Sequence, residues 1–169
     1  MKIYTYGHPV LRKKAKSVQH FDAELKLLCK KMIDTMRNSH PRGVGLAAPQ
    51  VGVSLRLITV EQEPGILLCL ANPEIIKTKG EQVDNEGCLS IPGVYANVKR
   101  SKHILVRAID PLKKISVEFE ASGFFSRVIQ HEIDHLNGVL FTDYFDDLSA
   151  LELAEDVAIP EALIRRYSK

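Results

Sequence analysis

Residues 130–138 read QHEIDHLNG and set His131 and His135 four positions apart, with Glu132 directly after the first. On an α-helix that spacing turns the second side chain only about 40° from the first and moves it roughly 6 Å along the axis. Both imidazoles then face one point, where they can hold a single metal ion. Glu132 is turned about 100° away, so it flanks the pair and can reach a water beside the ion. Such a water ionises near neutral pH, and a neighbouring carboxylate can take its proton and later hand it to a leaving group. The simpler alternative is a buried helix whose histidines are merely hydrogen-bonded. Phe124 and Val128 share the histidines' helical stripe, and two unpaired imidazoles among apolar neighbours are costly.

A catalytic metal needs a third protein ligand, and the candidates differ in class. One zinc-peptidase pattern continues as HExxHxxGxxH. The stretch HEIDHLNGVLF follows it through Gly138 but puts Phe141 where the third histidine would stand. Another pattern takes a glutamate from a following helix, for which Glu152 and Glu155 in SALELAED are the candidates. The third option is Cys88, in NEGCLSIPGV (85–94). Turn residues precede it and Pro92-Gly93 follows it, whereas Cys29 and Cys69 sit in apolar runs and are expected to be inert. A thiolate in a polar, glycine-bearing bend can reach a metal and completes a Cys-His-His set. The stretch GVGLAAPQVG (43–52) is also unusual. Gly43 and Gly45 permit close backbone approach to a ligand, Ala47 and Ala48 are small, and the Gln50 amide can donate to an oxygen. A glycine-rich turn before a strand accounts for this stretch taken alone, and the GxxxxGK[ST] phosphate-loop pattern is absent.

These residues need elements to position them. Leu25, Leu28, Met32 and Met36 recur at helical spacing behind Asp22, a good N-cap, and predict a helix from about Ala23 to Asn38. It ends before SHPRGVG (39–45). The runs 55–60, 66–72, 103–110 and 114–120 read as strands, the last two forming a hairpin about Asp110-Pro111. A second helix starts near Gly123. Phe125, Ile129, Ile133 and Leu136 form one apolar stripe, and Phe124, Val128, His131 and His135 form another beside it. A helix apolar on more than one side is usually buried, and Gly138 can end it. SALE, at 149–152, matches a capping box and predicts a last helix reaching towards Pro160. The expected fold is α+β, with mostly antiparallel strands packed around a central buried helix that carries HEIDH.

The 169 residues are 45% hydrophobic and 26% charged with a net charge of +2, which fits one globular domain over 1–169 with a helical tail from about 148. The small net charge gives no case for nucleic acid or an anionic membrane. Basic residues gather in LRKKAK (11–16) and IRRYSK (164–169), and such clusters are commonly solvated faces or termini. The first residues show no apolar signal segment, and no run of 18 apolar residues occurs. Three cysteines without a paired pattern point to a reducing, cytoplasmic setting.

Jointly, GVGLAAPQ (43–50), EGCLS (86–90) and QHEIDH (130–135) resemble the three motifs of peptide deformylase, in the family's order, and HPVLRKKAKSV (8–18) is similar to its start. The resemblance spans about residues 3–145 and leaves the tail unaligned. It implies removal of the formyl group from the N-terminal formyl-methionine of newly made polypeptides, with transient ribosome contact. Cys88, His131 and His135 would bind one divalent metal, a metal-bound water would attack the formyl carbonyl, and Glu132 would be general acid and base. Gln50 and the Leu89 backbone N–H would hold the oxyanion. Val44, Gly45 and Gly87 would contact the substrate backbone, and Val128 would help line a methionine pocket. The resemblance implies Fe2+ in the cell, while the ligand set also suits Zn2+, Ni2+ or Co2+ in a purified sample. Glu86 is expected to pair with Arg100, buried or exposed, and Arg127 to lie on the surface or the pocket rim.

Two other classes remain open at this point. A zinc peptidase predicts a glutamate third ligand and internal peptide cleavage. A zinc-stapled interaction domain predicts four protein ligands and leaves Glu132 and Gln50 idle.

Overall fold

The computed structural model describes residues 1–168, so Lys169, the last residue of the basic C-terminal cluster, lies outside the described residues. Helix α1 spans Ala23–Arg37, and the Asp22 side chain caps it by accepting from Leu25 N. Its buried face is Leu25, Cys29, Met32 and Met36, with Leu28 only partly covered. Strands β1 (Gly45–Ala47), β2 (Leu57–Glu63), β3 (Ile66–Cys88), β4 (Ile91–Asp110) and β5 (Ile115–Ser122) follow, then α2 (Gly123–Leu136). The five strands pair antiparallel in the order β1-β2-β3-β4-β5. This is an α+β architecture, and the expected 103–110/114–120 hairpin is the β4–β5 pair.

Strands β3 and β4 are much longer than the runs expected at 66–72 and 103–110. Residues 77–85 of β3 are polar and largely exposed, so no apolar pattern marks them as strand. In β4, Val94, Ala96, Val98 and Arg100 alternate inward, a weak pattern that starts behind Pro92 and Gly93. Register shifts after Ala71 and Ile75 bend the β3–β4 ribbon, and a tight Leu89-Ser90 turn joins the strands where Cys88 pairs with Ile91. Irregular pairing of this kind bends a strand and increases its twist.

Helix α2 is the buried centre. Ile129, Ile133 and Leu136 pack with Ile58, Val60, Leu70, Val106 and Ala121 of the sheet. A second cluster places α1 against β1–β3, and a third joins β4 to Leu140, Phe141 and Leu163. The expected stripes of α2 are burial-matched except for Phe124, which is 61% exposed. It sits in the first turn, beyond the sheet's cover.

The predicted helix over 149–160 does not form. Residues Leu148–Ala150 make a 3₁₀ turn, β6 (Glu152–Leu153) adds to β4 opposite Val94 and Tyr95, and α3 spans Glu161–Tyr167. Asp147, not Ser149, supplies the capping oxygen, accepting from Ser149 N. The Glu152 carboxylate accepts from Asn85 and Asn97 across the ribbon (3.2 and 3.5 Å), and Ala154 N donates to Gly93 O (2.8 Å). Val157 packs onto Gly93, whose φ of 74° and bare Cα admit it. The tail is a strap whose polar atoms find partners on β3 and β4, which competes with helix formation. No helix among the described residues is long and apolar enough to cross a membrane.

Candidate metal centre and active site

Cys88, His131 and His135 each offer one donor atom, and the three atoms lie within 4.8 Å of one another. The cysteine arrives at the end of β3 and the histidines from α2. Cys88 Sγ stands 3.3 Å from His135 Nε2. Ser90 N donates to the same sulfur at 3.4 Å and Gln50 Nε2 at 3.6 Å.

Behind the histidines lies a buried ionic cluster. Glu86 Oε1 accepts from Arg100 Nε (2.7 Å) and Arg127 Nη1 (2.8 Å). Its Oε2 accepts from Arg100 Nη2 (3.0 Å) and faces His131 Nδ1 at 2.8 Å. Asp134 pairs with the far side of Arg100, and Tyr144 OH donates to Asp134 (2.8 Å). Two carboxylates thus face two guanidiniums. Burial works against the Glu86 charge, yet Arg100 and His131 hold its carboxyl down at about 2. An ionised carboxylate only accepts, so in the neutral imidazole that a metal requires the proton of His131 sits on Nδ1, towards Glu86, and Nε2 is left to ligate.

The Glu86–Arg100 pair is therefore buried, each side chain 4% exposed. Arg127 is not on the surface: it is 2% exposed and bound to Glu86 and to Val98 O at 2.7 Å, and it also reaches the wall of the cleft lined by Gln50 and Cys88. The signal for it was present in the sequence, since Arg127 precedes His131 by four positions and shares its helical face. Asp134, three positions after His131, shares that face as well, whereas nothing in the spacing marked Tyr144.

Glu132 is buried, and burial lifts its carboxyl to about 7 against the opposing pull of His131. Burial lowers His131 but Cys88 and Glu86 outweigh it, so that group is raised; burial and then His131 push His135 well below its usual value. Glu132 Oε2 has no protein hydrogen-bond partner. The glycine loop closes over Glu132: a Cβ on Gly45 would stand 2.9 Å from both Cγ and Cδ of this side chain and closer still to Oε1. Only glycine lets the backbone approach this near. Gln50 is buried, its Oε1 accepting from Ala47 N (2.8 Å) while its Nε2 donates to Ser90 Oγ (3.1 Å). The amide is thereby fixed with its donor end towards Cys88.

One cleft is lined by Val44, Gly45, Gln50, Gly87, Leu89 and Val128, together with Cys88, His131 and Glu132. Tyr95 and the exposed Phe124 stand along the same cleft. Every sequence-expected site residue except His135 lines it, and His135 sits beneath. Among the described residues neither glutamate candidate joins the donor set: Glu155 is not in it and Glu152 is spent on Asn85 and Asn97, while Phe141, at the place of the third histidine, stacks on the His131 ring with centroids 6.1 Å apart. The donor set fits a divalent metal. It contains one partly buried sulfur and two buried imidazoles, and the same cleft holds Glu132, whose Oε2 has no protein partner.

The family model for polypeptide deformylase matches residues 1–150. The chain belongs to the peptide deformylase family. It is 47% identical to a peptide deformylase of Thermomicrobium roseum over 162 residues, covering 91% of this chain and 90% of that one. A peptide deformylase of Dictyoglomus thermophilum is 48% identical over 142 residues, covering 84% and 90%. Among solved structures, a peptide deformylase from Legionella pneumophila superimposes with a TM-score of 0.82 at 42% identity, covering 88% of each chain. One from Synechococcus elongatus, in complex with actinonin, gives 0.82 at 40% identity over 88% of this chain and 82% of that one. The enzyme's family match ends close to where the strap begins, at the point where the sequence motifs also gave out.

Proposed function

We propose that this enzyme removes the N-formyl group from formyl-methionine at the start of new polypeptides, in the cytoplasm and in passing contact with the ribosome. The observation that supports the reading is one cleft lined by Cys88, His131 and Glu132, with the Gln50 amide nitrogen 3.6 Å from the Cys88 sulfur. The whole of 1–169 works as one domain, with the strap as part of it.

Cys88, His131 and His135 would hold the divalent ion, which would be iron(II) in the cell and zinc, nickel or cobalt when supplied. When bound, that ion supplies a Lewis acid that activates water at neutral pH and draws electrons from a carbonyl. The chain's own residues do the rest. Glu132, with its carboxyl near 7, takes a proton from the attacking water. The Gln50 amide and Leu89 N–H donate to the carbonyl oxygen as it gains charge. The C–N bond then breaks, Glu132 returns the proton to the departing amine nitrogen, and formate is released. Val44, Gly45 and Gly87 carry the substrate backbone, and Val128 contributes to the floor of the methionine pocket.

The test is an anaerobic assay of formate release from a formyl-methionyl peptide and from its acetyl counterpart, with metal analysis of the same sample. Formate from the first, and no cleavage of the second, is expected. Cleavage of internal peptide bonds would replace this reading with a peptidase.

A further inference from the structure

The cleft uses one of the enzyme's three cysteines. The other two were expected to be inert, each in its own apolar run, but the fold brings them together. Cys29 of α1 and Cys69 of β3 stand 40 positions apart in sequence with their sulfurs 2.7 Å apart. Cys29 is sealed from solvent and Cys69 is 6% exposed, within the cluster of Met32, Met36, Leu46 and Leu57. Among the described residues their only side-chain hydrogen bond is to each other. Packing alone asks for small apolar side chains here and gives no reason for two thiols to face one another across a helix–strand contact.

We propose that Cys29 and Cys69 are an oxidisable dithiol that closes into an intrachain disulfide when a hydroperoxide reaches it, tying α1 to β3. The Cys29 sulfur attacks one oxygen of hydrogen peroxide; an S–O bond forms, the O–O bond breaks, and the freed hydroxide leaves as water with the Cys29 proton. The Cys69 sulfur then attacks the Cys29 sulfur. An S–S bond forms, the S–O bond breaks, and the hydroxyl leaves as a second water with the Cys69 proton. The pair loses two electrons and the peroxide gains them. Cys29 is the first nucleophile because the hydrogen bond from Cys69 stabilises its thiolate, while the same contact and burial hold Cys69 protonated. Hydrogen peroxide is small enough to enter a core that excludes larger oxidants.

The link lies behind the glycine loop, not in the cleft. Gly43 N donates to Met36 O at the end of α1 (3.1 Å), so the disulfide anchors the helix on which that loop rests. It stabilises the fold and leaves turnover in place.

The experiment treats the metal-loaded full chain with graded hydrogen peroxide, then maps unreduced tryptic peptides and records thermal unfolding. The expected product is peptide 27–30 joined to peptide 57–77. The unfolding temperature should rise by roughly 5–10 °C and fall back on adding dithiothreitol. Both changes should vanish in Cys69→Ser and in Cys29→Ala, two independent variants should either fold poorly. Peroxide that oxidises Cys88 while Cys29 and Cys69 stay alkylatable after unfolding would overturn the proposal. So would oxygen added separately to either core cysteine without a link.

Discussion

The two sides of the metal centre are built on opposite plans. Behind the ligands, Glu86, Arg100, Arg127 and Asp134 form a largely buried, charge-balanced block whose ion pairs fix the His131 ring, with Glu86 and Arg127 also reaching the cleft wall. In front, the cleft is lined by Val44, Gly45, Gln50 and Leu89, with the Gln50 amide held by Ala47 N and Ser90 Oγ and Gly45 admitting Glu132. A buried ionic block resists rearrangement, because removing one member leaves the others charged and unpaired. Neutral donors suit an oxygen that carries charge only briefly, since they cost little when it is absent. The back should therefore set metal affinity and the front should set turnover.

Cys88 stands at the seam between the two, so its loss should be the most severe. Cys88→Ala should lose bound metal and bring formate release to background, read by metal analysis and assay on one preparation. A variant that kept both would remove Cys88 from the ligand set. On the front, Gln50→Ala should keep its metal and lose about 10²–10³-fold in turnover, the usual consequence of removing one oxyanion donor. A change confined to KM would make Gln50 a binding residue. On the back, Glu86→Gln should weaken metal binding by about 10–100-fold, read by competition with a chelator, while the loaded enzyme keeps most of its turnover. Should turnover fall instead with metal affinity intact, the division between back and front fails. Outside both, Glu152→Ala on the strap removes two long, exposed hydrogen bonds. It should lower the unfolding temperature by no more than about 2–3 °C and leave metal content alone.

The same division explains what the sequence disclosed. His131, Glu132 and His135 were legible because one helix sets their relations and their spacing displays it. Cys88 and Gln50 were legible as residues out of keeping with a plain strand or turn, and the family's motifs joined them. The back block was half visible: Glu86 and Arg100 could be paired, but Asp134 and Tyr144 meet Arg100 only because the β3–β4 ribbon wraps α2. The strap was misread because a capping box carries no record of competing partners. Asn85, Asn97 and Gly93 claim its polar atoms from across the fold. The Cys29–Cys69 contact left no local trace, since each cysteine fits the run that holds it.

The central claim is that Glu132 moves protons and does not hold the ion. Glu132→Ala, loaded with metal under nitrogen, tests it in one sample by metal stoichiometry and by formate release from a formyl-methionyl peptide. The expected result is a full metal complement with turnover lowered by about 10²–10⁴-fold. Near-normal turnover, or loss of the metal along with the carboxylate, would contradict it.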